Sequence, residues 1–143
     1  MERSATAVWT GSLKEGKGAL TTASGVLSDT QYSFSTRFEN GKGTNPEELI
    51  AAAHAGCFAM ALSAQLGTMN FTPQTLKVSA KVTLEKLEAG WTISKSHLEL
   101  AARIPGISTE AFQAAAAGAK ANCPVSRLLN AEITLNAVLE QAA

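Results

Sequence analysis

Cys57 and Cys123 are the two residues of this chain best suited to do chemistry, and they stand 66 positions apart. A thiol attacks only as its thiolate, so the surroundings of each sulfur decide whether it reacts. Cys57 lies inside an alanine-rich stretch, between Gly56 and Phe58, with no charge beside it. Such a cysteine is ordinarily a small buried hydrophobe, and burial alone raises its pKa and makes it inert. A reactive Cys57 must therefore take a positive charge from another element. Cys123 precedes Pro124 at an expected helix start, where its backbone favours an extended conformation and the helix dipole is favourable. An inert thiol is an equally open reading there. Alternatively, the two thiols could close a disulfide during a reaction with peroxide, Cys57 being attacked and Cys123 resolving it.

Arg37 is the natural source of positive charge, placed a few residues before the loop that leads into the Cys57 helix. A solvated arginine is the plainer reading. Glu47 falls in the first helical turn, where a carboxylate complements the helix dipole, and it could also hold a guanidinium through paired hydrogen bonds. Glu47 and Cys57 are ten residues apart, about 15 Å along a helix axis, so they cannot meet within one helix. If both serve one site, Glu47 comes from a second copy whose helix packs antiparallel, as a two-fold dimer allows.

Other groups offer competing chemistry. His54 precedes Cys57 by three residues on the same helix face, which makes a Cys-His hydrolase pair conceivable. No separate oxyanion motif accompanies it, and a core or edge histidine is the favoured reading. His54, Cys57, His97 and Cys123 number four possible zinc ligands, but their spacing fits no compact ligand pattern. The lysines of segment 14–17 read as a solvated turn, and no glycine-rich phosphate loop is present.

The elements that must position these residues read as βββ-α-ββ-α-α-β, an α+β domain spanning 1–143. Segments 4–10 and 18–24 read as strands. Segment 31–38 alternates, with Tyr32, Phe34, Thr36 and Phe38 on one face and Arg37 on the other, so it is expected to be a third strand. Asn45 suits an N-cap, Pro46 the first helical position, and Glu48 a capping box, with Gly67 as the stop. That helix is apolar nearly all round, which suggests burial on most sides and a second chain to help cover it. Leu76 to Leu84 alternates, segment 88–90 turns, and the returning strand changes phase between Ile93 and Leu98, which suggests a bulge or a twist. An alanine-rich helix follows to about Ala121, then a short helix from Pro124, then a strand over 131–140.

Composition excludes several classes. The chain is 45% apolar and 17% charged, with 12 basic and 12 acidic residues and a net charge of zero. It is too apolar for disorder and too balanced for a general nucleic-acid or membrane-surface binder. Two cysteines are too few for a secreted disulfide scaffold. No secretory signal is read at the start, and segment 49–66 reads as a core helix rather than a bilayer span, so the cytoplasm is the expected compartment.

The run from Arg37 through Asn45-Pro46-Glu47-Glu48-Leu49 and Ala51-Ala52-Ala53-His54-Ala55-Gly56-Cys57, with Asn122-Cys123-Pro124-Val125-Ser126 downstream, resembles the OsmC/Ohr family of bacterial thiol peroxidases, and its OsmC branch in particular. The resemblance covers essentially the whole chain. It implies β-sheets wrapped around a central helix in an intertwined homodimer, with a site at each side of the interface. It implies that Cys57 is the peroxidatic thiolate and Cys123 the resolving thiol. Arg37 would stabilise the thiolate and polarise the peroxide, and Glu47 would orient Arg37, leaving Glu48 to capping. Arg127 is the other arginine near a motif. Organic hydroperoxides and hydrogen peroxide are the implied substrates, with an external dithiol, a small thiol or a lipoyl-type protein, as reductant. No metal or organic cofactor is implied. Tyr32, Phe34, Phe38, Phe58 and Met60 could line an apolar entrance, although core packing explains them equally well. A non-catalytic, homodimeric stress-protective or binding protein on the same fold is the alternative.

Overall fold

In the chain's computed structural model, which describes residues 1–141, the alternating strands of the N-terminal third form a small antiparallel sheet. It consists of β1 (Ala5–Thr10), β2 (Lys17–Thr22) and β3 (Thr30–Tyr32), in that order. The chain divides into two compact units, Met1–Leu49 and the part from Ile50 onward.

The first unit departs from expectation at segment 31–38. The strand ends at Tyr32, and Phe34–Phe38 is a short helix, α1, so Arg37 sits on a helix rather than on a strand. Ser33 is the cause. Its hydroxyl accepts from the Thr36 N–H at 3.3 Å, and the Thr36 hydroxyl accepts from the Ser33 N–H at 2.9 Å, closing a capping box. Phe34 and Phe38, read as alternate strand positions, are also four apart, and their rings meet at 4.9 Å on one face of the helix. The loop after α1 passes close over it. Gly43 has φ +138°, and a Cβ there would come within 3.0 Å of the Thr36 side chain.

The helix carrying Cys57, α2 (Pro46–Thr68), begins as expected, with Asn45 Oδ1 accepting from the Glu48 N–H at 2.8 Å. The Glu48 carboxylate accepts from the Thr44 hydroxyl at 2.7 Å, one residue outside the cap. The helix runs through Gly67 and stops at Asn70, which adopts φ +62°. Asn70 N–H bonds to the Gly67 carbonyl and Phe71 N–H to the Leu66 carbonyl, a Schellman closure with asparagine in the left-handed position.

The second unit holds the core. β4 (Thr75–Leu87) and β5 (Gly90–Arg103) form a long hairpin, and β6 (Glu132–Glu140) runs parallel to β5 after a crossover through α3 (Thr109–Asn122) and α4 (Pro124–Leu128). The expected bulge lies at Ser94: Thr83 pairs with Lys95 and Leu84 with Ile93. Past the bulge, Ser96, Leu98, Leu100 and Ala102 face inward and are buried. They pack with Phe58, Leu62 and Leu66 of α2 and with Phe112, Ala115, Ala116 and Ala119 of α3. Ile133, Leu135, Ala137 and Leu139 of β6 join this cluster, as their alternation predicts.

By length and composition α2 is apolar enough to cross a membrane, but its Phe58, Leu62 and Leu66 are spent on this core. One face stays uncovered. Ala52, Ala53, Gly56, Met60, Ala64 and Gly67 are exposed at helical spacing.

Candidate active site

The candidate residues fall into two pairs, one in each unit. In the first unit, α1 presents Arg37 and the first turn of α2 presents Glu47. Arg37 Nη2 donates to Glu47 Oε1 at 2.8 Å, and Arg37 Nε donates to the same oxygen at 3.1 Å. The pairing predicted from residue type is therefore formed within one chain. Glu47 is buried, while the Arg37 side chain is 37% exposed, so the guanidinium keeps a free face. The guanidinium carbon lies 5.3 Å from the centroid of the Phe38 ring.

Asn45 positions this pair in a way that its capping role alone does not reveal. Its Oδ1 caps α2, and its Nδ2 donates to the Thr36 carbonyl at 2.9 Å. One side chain thus ties the helix that carries Arg37 to the turn that carries Glu47. Beside Arg37 is a cavity of about 280 Å³ lined by Trp9, Leu13, Tyr32, Phe34 and Phe38. Three of the five expected entrance residues are here. Phe58 is fully buried in the core of the second unit, and Met60 is 78% exposed on the open face of α2.

In the second unit α2 presents Cys57, half-buried, and the junction of α3 and α4 presents Cys123, fully buried. Cys123 is at once the C-cap of α3 and the N-cap of α4, with ψ 128° imposed by the following proline. Both cysteines are free thiols, and they are neighbours close enough to shift each other's acidity. The sulfur of Cys123 also faces the N–H groups of Val125 and Ser126 and the Ser126 hydroxyl.

The two sulfurs are shifted in opposite directions. Burial pushes the Cys57 thiol up, the neighbouring Cys123 adds to this, and the Val125 N–H pulls the other way. For Cys123 burial is the largest single influence and acts upward. The Cys57 thiol, the Ser126 and Val125 N–H groups and the Ser126 hydroxyl together outweigh it, so this thiol lies below its ordinary value. Among these neighbours nothing is cationic. A Cys57 thiolate needs a positive charge from elsewhere, as its helical setting already implies.

His54 is fully buried, matching the expectation of a core histidine. Its Nδ1 pairs with Ser96 Oγ at 2.6 Å and its Nε2 with Ser126 Oγ at 2.8 Å. Both ring nitrogens are engaged by serines, which leaves no free base for Cys57 and removes the hydrolase arrangement. His97 is engaged by Thr134 and Glu99 on the sheet. Ser96 and Ser126 escape the search for reactive residue types. Their signal is a serine in the buried phase of a strand and a serine in the first turn after Cys123.

Comparison with known proteins adds the lineage. The family described as OsmC-like protein matches residues 39–138. The chain is 52% identical over 128 residues to peroxiredoxin OsmC of Escherichia coli K12, covering 90% of each sequence. Among solved structures, the organic hydroperoxide resistance protein OhrB of Bacillus subtilis superposes with a TM-score of 0.69 at 25% identity, over 96% of this chain and 98% of that one. An OsmC-like protein of unknown function from Vibrio cholerae reaches 0.77 at 17% identity, over 96% and 99%, which establishes the fold.

Proposed function

The chain belongs to the OsmC-like family, and from that premise we propose that residues 1–143 act as one OsmC-like domain, a cysteine peroxidase that reduces organic hydroperoxides and hydrogen peroxide. The observation that carries this reading is the placing of Cys57 and Cys123, two free thiols from separate elements, as neighbours that shift each other's acidity. Cys57, the more exposed of the two, is the peroxidatic residue. Its thiolate attacks the distal oxygen of the peroxide, the O–O bond breaks, and the alcohol or water leaves with a proton while sulfur becomes a sulfenic acid. Cys123 then attacks that sulfur, the S–O bond breaks, and water is released as the disulfide forms. An external dithiol, a small thiol or a lipoyl-type protein, returns both residues to thiols.

Arg37 supplies the missing positive charge, and Glu47 holds it through the paired hydrogen bonds, leaving its free face for the thiolate and the peroxide. The aromatic cavity beside Arg37 suits the organic part of a hydroperoxide. Because Glu47 and Cys57 stand about 15 Å apart on one helix, the Arg37–Glu47 pair of one chain serves the thiols of a second chain in an intertwined homodimer. The open small-residue face of α2 and the exposed β1 are the surfaces such a partner would cover. Reducing thiol chemistry of this kind belongs to the cytoplasm, and a role in osmotic and oxidative stress is part of the same reading.

Treating the reduced protein with one equivalent of an organic hydroperoxide tests the reading. Rapid loss of both thiols and of two hydrogens in intact mass is expected, with a sulfenic acid trapped in Cys123→Ser. Thiols that survive excess peroxide unchanged would leave the non-catalytic binding protein as the better reading.

A further inference from the structure

His54 has no task in the chemistry just described, yet the fold spends two serines from separate elements on it. It is fully buried on α2, one turn before Cys57, with Ser96 of β5 on one nitrogen and Ser126 of α4 on the other. Ser96 is fully buried and Ser126 nearly so. Ser126 lies in the first turn of α4 after Cys123, with its hydroxyl and N–H beside that sulfur. A buried cluster therefore joins Ser96, His54 and Ser126 by hydrogen bonds and continues to Cys123, with the half-buried Cys57 beside it. We propose that His54 is a positioning residue for Cys123, acting through Ser126 to turn that serine's hydroxyl proton towards the sulfur of the resolving thiol. The proposal rests on the peroxidase reading for its purpose, but not for its geometry.

Proton counting explains why a histidine suits this place. Burial holds the His54 pKa down, so the ring is neutral and has one N–H donor and one bare nitrogen acceptor. If Ser96 donates to Nδ1, the ring proton is on Nε2 and is donated to Ser126 Oγ. The Ser126 hydroxyl then has its own proton free for Cys123, which stabilises a thiolate there. With the opposite tautomer, Ser126 must donate to Nε2 and can only accept from the Cys123 thiol. The titratable groups along the chain are His54 itself and the two thiols, Cys57 from α2 and Cys123 from the α3–α4 junction; the other two members are hydroxyls from β5 and α4. When Cys123 attacks the oxidised Cys57, the S–S bond forms as the S–O bond breaks. The hydroxide released takes up the proton given by Cys123 and leaves as water.

The test reads Cys123 directly, without peroxide. In a Cys57→Ser background, thiolate absorbance is followed against pH with Ser126 intact, as Ser126→Ala and as Ser126→Thr. Loss of a hydrogen bond to a charged group is expected to lower the Cys123 ionisation constant about tenfold in Ser126→Ala. Ser126→Thr, which keeps the hydroxyl, should retain the original profile. His54→Gln should move the profile the same way as Ser126→Ala. In the protein with both cysteines, Ser126→Ala should lengthen the lifetime of the Cys57 sulfenic acid while leaving its formation unchanged. A folded Ser126→Ala protein with an unaltered Cys123 profile overturns the proposal. Should the wild-type thiols ignore peroxide while the profile still shifts, the relay stands and the peroxidase reading falls.

Discussion

The two units of this chain are built on opposite plans. From Ile50 onward, helix, sheet and crossover helix close over one continuous cluster, with Phe58, Leu62, Leu98 and Phe112 fully buried. In Met1–Leu49 four residues are buried, Gly16, Gly18, Thr36 and Glu47, and none has a large apolar side chain. All six residues of β1 are exposed, Val8 and Trp9 among them. A segment of this size without a core does not stabilise itself. The difference assigns different work to each region. One has a continuous hydrophobic cluster and holds the thiols, while the other holds a charged pair by hydrogen bonds and leaves β1 exposed.

The sharpest way to break this division is chemical. Cys57→Ser should reduce peroxide turnover to background while leaving the fold intact, as read by a turnover assay beside a thermal melt. A core deletion should separate the units energetically. Phe58→Ala is expected to cost about 3–5 kcal/mol, whereas Val8→Thr on exposed β1 should stay within about 0.5 kcal/mol in the isolated chain, both measured by denaturant unfolding at low protein concentration. Loss of Val8 mattering only at high concentration would sharpen the idea that a second copy covers β1. Met60→Glu places a charge on the open face of α2; sedimentation should shift from dimer to monomer, with activity falling alongside. Glu47→Gln weakens the grip on Arg37, and the rate of Cys57 oxidation should drop about 10- to 100-fold with little change in stability.

The smallest expected effect concerns His54. Its folded pKa is depressed by burial, below the ordinary value of about 6.5 that it regains on unfolding. The folded protein therefore binds fewer protons, and the stability this confers is complete above that ordinary value and fades as pH falls through it towards the folded pKa. Unfolding free energy measured between neutral and mildly acid pH should decline, and His54→Gln should flatten the slope.

Much of this was legible in the residues, for reasons that are local. Asn45-Pro46 marked the start of α2, Pro124 set the backbone of Cys123, and the phase change after Ile93 announced the bulge. Segment 31–38 misled because Phe34 and Phe38 satisfy a strand and a helix equally. The deciding signal was Ser33 with Thr36, a capping box written with threonine in place of the usual glutamate or glutamine. Gly67 misled because an exposed glycine can stay helical when Asn70, three residues later, takes the left-handed turn. The Ser96–His54–Ser126 chain was out of reach because it joins three elements distant in sequence. Its local traces were Ser96, a serine sharing the buried phase of Leu98 and Leu100, and Ser126, a serine in the first turn after Cys123.

The central claim is that the Arg37–Glu47 pair of one chain completes the thiol pair of another. Mixing inactive Arg37→Ala protein with inactive Cys57→Ser protein under conditions of subunit exchange tests it most directly. With random exchange, half of the dimers are hybrids carrying one intact site in two, so about a quarter of wild-type activity should return. Hybrids that form, as shown by mass, yet stay inactive would contradict it and place the whole site within a single chain.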